Sequence, residues 1–349
     1  MEKNVKQTQR IEYIDAMRGF TMILVVLHHV SLMGFGVDSA IGRWLIEFRM
    51  PLFFFVSGFV LYKSTHKWDI HNTLAFLKKK LSVQLLSPFI FFCIYIYIQK
   101  KDFVMSLADP SKAGYWFTFM LFTYFLIYIA CQIFFDKLRF GHRLRDFTLI
   151  SLGLFVFVSA YGVSYLFLEK NNLYAGFVGG ANLKYFLFFA LGTLVKKYFV
   201  KFENLLDSSL LVPISVTAYF LMNVFYNPIN GGGAAFRFSF ILLTAGTGIV
   251  CVFAFFRRYQ NLFNYNQPAG KVLQTIGRRT LDIYLLHYFL IPQDLGKAFP
   301  VFSQYNLPLI EFFCSLILAF LIIAACLGIS AVLRTSPLLA HVLFGAKKG

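Results

Sequence analysis

Long apolar runs alternate with short polar segments along the whole chain. A bilayer core requires about 20 mostly apolar residues per helix, and this length selects candidate spans at residues 13–34, 44–63, 80–98, 114–135, 147–168, 184–200, 208–226, 238–256, 280–293 and 308–333. The ninth segment is short and stops at Pro292, so we expect it to be tilted or to be extended by the amphipathic stretch before it. The pattern predicts an all-α polytopic membrane protein with about ten transmembrane helices.

The composition supports a membrane environment. Hydrophobic residues make up 58% of the 349 positions and charged residues only 14%, a balance that ordinary soluble domains do not show. The 45 phenylalanines and 19 tyrosines suit a surface that meets lipid tails and headgroups. No internal repeat or long linker is evident, so we expect a single transmembrane domain over residues 1–349.

The formal net charge of +17 changes this picture little. The lysines and arginines lie in short tracts between apolar runs, where anionic lipid and membrane topology explain them better than nucleic acid does. The cysteines each lie inside an apolar run without CxxC spacing, so we expect packing residues and no metal site. The polar start and the long apolar segment that follows it predict that the first helix is not a cleaved signal.

The distribution of positive charge predicts the orientation. With a cytosolic N-terminus, the inside segments carry 23 lysines and arginines and the outside loops carry eight. The positive-inside rule therefore places both termini in the cytosol, and we expect a multi-pass protein of the plasma membrane, the inner membrane of a bacterium. The stretch 66–80 is amphipathic and predicts a helix on the cytosolic surface. Glycine-rich tracts at 176–180 and 231–233 lie in outside loops, as flexible turns or as walls of an acceptor site.

The first helix carries ionisable residues, which are costly inside a membrane and so indicate function. Its sequence IDAMRGFTMILVVLHHV contains Asp15, Arg18, His28 and His29. Arg18 and His29 are eleven residues apart, so they share a helix face, with the histidine about 16 Å deeper. This spacing suits a long ligand with an anionic end at the surface and a reactive end inside. An acyl-CoA has this shape.

His29 has three possible roles on these grounds. A neutral imidazole can take a proton from a hydroxyl that attacks the thioester, or it can become transiently acylated. A single intramembrane histidine can also serve as a polar bond to a neighbouring helix. His28 points about 100° away and is interpreted as a supporting or packing residue.

The stretch from Asp15 to His29 resembles the opening helix of the acyltransferase 3 family, whose pattern is Arg, ten residues, His. In this chain that spacing selects His29 and not His28. The resemblance continues in family order through FRMPLFFFVSGFVL at Phe48 to Leu61, YWFTFMLFTY at Tyr115 to Tyr124, LKYFLFFALGTLVKK at Leu183 to Lys197 and IGRRTLDIYLLHYF at Ile276 to Phe289.

The resemblance implies a membrane enzyme that transfers an acyl group, most often acetyl, from acyl-CoA to a surface or membrane-linked glycan. It makes acetyl-CoA or another acyl-CoA the donor, and it makes a glycan or lipid-linked saccharide the acceptor. By carry-over, His29 is the catalytic histidine and Arg18 helps to hold the CoA. Relatives that act on sugars often have a histidine before the Met-Pro of the second helix, where this chain has Arg49.

Arg49 therefore receives no family role. Helix geometry places it at or beyond the depth of His29, where a cation can polarise the thioester carbonyl. Pairing with Glu47 or an outward-pointing side chain is the favoured interpretation.

The ninth segment supplies further candidates. Arg278 and Arg279 lie at its cytosolic end, as phosphate ligands or as ordinary positive-inside flanking residues. Asp282 is expected to orient another group or to bind these arginines, and His287 to make a polar contact between helices; Tyr284 is a further candidate. Glu311 begins the tenth segment, as a loop salt bridge or an acceptor contact.

Two other classes of protein compete with an acyltransferase. Ten helices with buried charges also fit a transporter of a polar or anionic solute, although paired broken helices in two matching halves are not evident. A receptor or scaffold leaves the alignment of Arg18 with His29 unexplained. Binding of CoA discriminates the enzyme from both alternatives.

Overall fold

The computed structural model of the protein describes residues 11–36, 40–63, 68–167, 180–225, 234–293, 295–298 and 307–346. Within these ranges the regular structure is helical and no β-strand occurs. The helices of the first half are α1 (Glu12–His29), α2 (Ala40–Leu61), α3 (Ile70–Leu81), α4 (Ser87–Ile98), α5 (Phe103–Ala108), α6 (Trp116–Lys137) and α7 (His142–Phe167).

The second half of the described chain contains the remaining helices. They are α8 (Phe186–Lys197), α9 (Phe199–Leu206), α10 (Leu211–Phe225), α11 (Ala234–Arg258), α12 (Pro268–Arg278), α13 (Thr280–Leu290), α14 (Leu295–Ala298), α15 (Pro308–Leu333) and α16 (Pro337–Phe344). The prediction of an all-helical chain is therefore confirmed for the described residues. The glycine-rich residues 176–179 and 231–233 and residues 66–67 of the amphipathic stretch lie outside them.

Within the described ranges, six helical segments are long and apolar enough to cross a membrane, and their bounds are Glu12–Phe35, Ile70–Ile98, Trp116–Lys137, His142–Tyr161, Phe238–Arg258 and Pro308–Leu333. Helices α9 and α10 pass the same test together but are bent by 83°, which raises the number to seven if they form one span. These segments make the chain a multi-pass membrane protein. Ten spans and cytosolic termini stay predictions.

Three segments differ from the sequence-based expectation. The amphipathic helix α3 does not lie apart from the third span, because a π-helical turn at Ser82–Leu86 joins it to α4. Helix α13 has only 11 residues, about 17 Å against a core of about 30 Å. The amphipathic stretch before it forms the separate helix α12, with the break at Arg279. The C-terminal helix α16 was not predicted.

Helix α1 occupies the centre of the fold. It packs against α2, α11, α12, α13 and α15, and thirteen of its residues are buried. Its last residue continues into a π-helical turn at Val30–Phe35. Because protein surrounds this helix on nearly every side, its ionisable side chains face other helices and not lipid, as functional groups inside membranes do.

Two glycines bring α1 and α12 into backbone contact. A Cβ atom on Gly19 would lie 2.0 Å from the carbonyl oxygen of Leu273, and one on Gly277 would lie 1.8 Å from the carbonyl oxygen of Asp15. Neither position accommodates a side chain without separating the helices. Small residues at helix interfaces permit this close approach in membranes. The contact holds the arginine-bearing ends of the two helices together.

Candidate active site

Two histidines from different helices form the centre of the site. Nδ1 of His29, the last residue of α1, lies 2.9 Å from Nε2 of His287 in α13. The two rings are nearly parallel, with 5.1 Å between their centroids. His287 is fully buried. The polar contact that the sequence predicted for His287 is therefore made to His29 itself.

The hydrogen bonds of this pair determine which ring nitrogens carry the protons. Nδ1 of His287 lies 3.0 Å from the carbonyl oxygen of Ile283, and a carbonyl oxygen only accepts. In the neutral ring Nδ1 therefore carries the proton, and Nε2 of His287 is an acceptor. His29 consequently donates through its own Nδ1, which leaves its Nε2 unprotonated. A neutral imidazole held in this way presents a lone pair to whatever lies beside Nε2.

The neighbouring His28 is oriented differently. Its ring centroid lies 5.6 Å from that of His29, but it takes no part in the series of hydrogen bonds from Ile283 to His29 among the described residues. The structure thus separates the two adjacent histidines as the helical geometry predicted.

Aromatic hydroxyls line the Nε2 side of His29. The hydroxyl of Tyr288 lies 3.4 Å from Nε2 of His29 and donates to the carbonyl oxygen of Gly114 at 3.1 Å. Tyr284 donates to the same carbonyl at 2.8 Å and accepts from the backbone N–H of Phe117 at 3.2 Å. These bonds attach α13 to the turn before α6 and fix the wall beside the imidazole.

That turn has an unusual backbone. Lys112, Ala113 and Gly114 have φ angles of 46°, 51° and 99°, and a left-handed conformation costs roughly 1–2 kcal/mol for a residue with a side chain. Lys112 donates to the carbonyl oxygen of Leu107 at 3.0 Å, and burial lowers the pKa of its ammonium. A Cβ on Gly114 would lie 2.2 Å from Cζ of Tyr288, so only glycine permits this approach.

A cavity opens beside the histidine pair, with an empty volume of about 370 Å³ that includes the space at its opening. Its lining comes from α1, α2, α6, α13 and the turn before α6, and consists of Met22, Val25, His29, Arg49, Met50, Phe53, Gly114, Trp116, Phe117, Tyr284 and Tyr288. The walls are mostly apolar and aromatic, with a few polar groups, as in small-molecule sites generally.

Arg49 lies in this cavity and not at the protein surface. The residue is only 7% exposed, and its Nε and Nη1 atoms have no hydrogen-bond partner among the described residues. The favoured interpretation from the sequence, pairing with Glu47 or an outward-pointing side chain, is therefore wrong for the described structure. Arg49 and His29 line the same cavity.

The opposite end of α1 carries the first of two arginine clusters. Asp15 lies 3.6 Å from Nη1 of Arg18 and 3.6 Å from Nε of Arg278. Arg18 also donates to the hydroxyl of Thr280, the first residue of α13, at 3.0 Å. The side chains of Arg18 and Arg278 are 30% and 36% exposed. The structure thus brings Arg18 and Arg278 together around the carboxylate of Asp15.

Asp282 organises the second cluster. Arg334 holds its carboxylate through two hydrogen bonds of 2.8 Å, from Nε and Nη2, and Ser330 donates to the same carboxylate. Arg279 lies 3.3 Å away. Of the roles considered for Asp282, the structure selects binding to arginines. Together the clusters hold four arginines on two carboxylates, a surplus of positive charge at one end of the site.

Helices α1 and α13 run parallel through the site. Arg18 contacts Thr280, and His29 contacts His287, so the two contacts occur in the same order along both helices. The arginines and the imidazole pair are about 16 Å apart along α1. The site therefore has a cationic end and a reactive end connected by one pair of helices.

Glu311 lies in the first turn of α15, at the beginning of the tenth segment. It is 2% exposed and accepts hydrogen bonds from Ser31 and Ser315. Its Oε2 atom has no partner among the described residues. Glu311 therefore makes no salt bridge within the part of the chain that the structure describes, and its carboxyl group connects α15 to the π-helical turn that follows His29.

Sequence reasoning missed several residues of the site. Arg334 follows a long apolar helix and contributes only to the count of positive residues in the inside segments, and Tyr288 and Gly114 carried no signal of their own. The position of Tyr288 next to His287 is the one sequence feature from which its role could have been inferred. The strained turn at Gly114 is visible only in three dimensions.

The fold and site define a helical membrane protein with an embedded imidazole pair and a cationic mouth. The family model of the acyltransferase domain, acyltransferase 3, matches residues 11–328. The chain therefore belongs to the acyltransferase 3 family and is a membrane acyltransferase. No curated protein and no solved structure matches the chain.

Proposed function

We propose that the protein transfers an acyl group, with acetyl as the first candidate, from acyl-CoA to a hydroxyl group of a cell-surface or membrane-linked glycan. The observation that carries this proposal is the hydrogen bond from Nδ1 of His29 to Nε2 of His287. It leaves Nε2 of His29 unprotonated, as a base must be, beside the cavity that this residue lines.

His29 is the catalytic base in this proposal. Its Nε2 takes the proton of the acceptor hydroxyl while the hydroxyl oxygen attacks the thioester carbon. The carbon–sulfur bond then breaks, and the imidazolium returns the proton to the leaving thiolate, which departs as CoA thiol. His287 positions His29 through the hydrogen bond to Nδ1, in the way that a third group orients a catalytic histidine.

The arginine clusters hold the donor. Arg18, Arg278 and Arg279 bind the phosphates of CoA at the cytosolic mouth, because guanidinium groups suit phosphate oxygens. Their partial exposure leaves them accessible to a ligand. The pantetheine arm then extends along α1 and brings the thioester to His29. The acceptor reaches the same cavity from outside or from within the membrane.

The test uses the full chain purified in lipid nanodiscs with labelled acetyl-CoA. We expect CoA binding and acceptor-dependent release of CoA thiol, and mass spectrometry should find fewer acylated surface glycans in cells that lack the protein. Failure to bind any acyl-CoA in folded protein overturns the proposal.

A second measurement separates a base from an acyl carrier. With labelled acyl-CoA and no acceptor, the protein stays unlabelled if His29 is a base and becomes labelled at His29 if it is a carrier. Label on His29 would replace the direct transfer mechanism with a two-step one.

A further inference from the structure

Arg49 is a buried cation without an anionic partner in the described part of the chain. It is 7% exposed, and two of its nitrogens lack any hydrogen-bond partner there. Arg18, Arg278 and Arg279, in contrast, lie beside Asp15 or Asp282. Burial of an uncompensated charge is strongly unfavourable. A ligand that brings a negative charge into the cavity would remove this cost.

The reaction at His29 does not supply that charge. When the acceptor hydroxyl attacks the thioester, the carbonyl oxygen becomes negative, but His29 becomes positive by the same proton transfer. The net charge of the cavity is therefore unchanged, and the positive charge of Arg49 persists from the empty enzyme to the tetrahedral intermediate. The phosphates of CoA do not compensate it either, because they bind about 16 Å away at the mouth.

The remaining source of negative charge is the acceptor. We propose that the acceptor is an acidic saccharide unit, and that Arg49 binds its carboxylate or phosphate group next to the hydroxyl that is acylated. The identification of this ligand as the acceptor rests on the proposed function, but the anion site itself is independent of acyl transfer. Arg49 and His29 line one cavity, so a bound acid positions a neighbouring hydroxyl for the base.

The experiment measures binding by the full chain in nanodiscs, without acyl-CoA. The probes are paired oligosaccharides that differ only at C6. In the neutral member C6 is a CH₂OH group, in the acidic member it is a carboxylate, and a third probe is the corresponding 6-phosphate. Hydrogen bonds to charged groups correspond to a difference of about 10- to 100-fold in affinity. We expect the wild type to prefer an acidic member by this factor, and the preferred acid distinguishes a uronic-type carboxylate from a sugar phosphate.

The variants identify the residue responsible. In Arg49→Gln the ratio of the affinities for the acidic and the neutral probe should fall close to one. Arg49→Lys keeps the positive charge and should retain part of the preference for the acid. The matched control is Arg145→Gln. Arg145 does not line the cavity, and its Nη1 lies 2.5 Å from Oδ1 of Asp136. This variant should keep the full preference for the acidic probe. Folding of each variant is verified by its elution as a single species.

The outcomes separate this inference from the proposed function. Equal affinity of the wild type for acidic and neutral probes, absence of binding to every probe, or a preference that survives in Arg49→Gln overturns the anion site. Acid-selective binding that depends on Arg49, in a protein that transfers no acyl group, supports the anion site and overturns the acyltransferase mechanism at His29.

Discussion

His29 and His287 lie on different helices and share one hydrogen bond of 2.9 Å. The carbonyl oxygen of Ile283 fixes the proton on the far side of His287, so the direction of the bond follows from the backbone. This relationship converts a buried histidine into an oriented base.

Removal of the imidazole of His29 should nearly abolish transfer. General-base catalysis contributes about 10²–10⁴ in rate, so we expect a loss of this size in His29→Ala with CoA binding and folding mostly retained. His28→Ala is the matched control and should keep substantial activity, because His28 lies outside the hydrogen-bond series. Near-normal transfer by His29→Ala, or loss of transfer in folded, CoA-binding His28→Ala, contradicts the assignment.

His287 should act through orientation of His29. In His287→Leu the acceptor for Nδ1 of His29 is lost, and misplacement of a catalytic group costs about 10² in rate. In His287→Gln the side-chain carbonyl oxygen can accept the same proton, so we expect partial recovery of kcat. The measurement compares kcat in both variants with KM for acyl-CoA, which should stay near the wild-type value. Equal losses in the two variants would indicate a packing role only.

Arg18 should bind the donor and not the acceptor. A hydrogen bond to a charged group contributes about 1.5–3 kcal/mol to the free energy of binding. Arg18→Ala should therefore weaken acyl-CoA binding about 10- to 100-fold. Affinity for the saccharide should change much less. Titration calorimetry with CoA and with the saccharide measures both quantities, and unchanged CoA affinity in folded protein counts against the assignment.

The glycine contact between α1 and α12 should be sensitive to a single methyl group. Gly277→Ala places a Cβ 1.8 Å from the carbonyl oxygen of Asp15, and overpacking costs typically about 1–3 kcal/mol. Gly246→Ala in α11 is the matched control, because nothing lies within 4 Å of its Cβ position. Thermal unfolding in detergent should show a lower Tm for the first variant alone. Equal Tm values would show that the helices separate without cost.

The orientation of the chain can be measured with reporter fusions. The excess of lysine and arginine in the segments assigned to the inside predicts cytosolic termini. A reporter fused after Lys348 that is active only in the cytosol should be active, and one that is active only outside should be silent. The reverse result would overturn the predicted topology.

Much of the fold was accessible from the sequence, because membrane burial imposes a simple rule. Each predicted apolar segment contains a helix within the described residues, since a backbone in lipid must satisfy its own hydrogen bonds. Hydropathy could not identify how the helices are joined or broken. The joining of α3 to α4, the break at Arg279 and the bend of 83° between α9 and α10 depend on packing against neighbouring helices.

The sequence by itself also determined the axis of the site. The fixed rise and rotation of an α-helix place Arg18 and His29 on one face at a known separation, whatever surrounds them. Only the tertiary structure decided which groups meet that face. His287 and Tyr288 are some 258 residues from His29 along the chain. Arg49, expected to pair with Glu47 or to point outward, is buried, and two of its nitrogens have no hydrogen-bond partner among the described residues. Local periodicity carries no information about such contacts, because they arise when helices distant in sequence pack together.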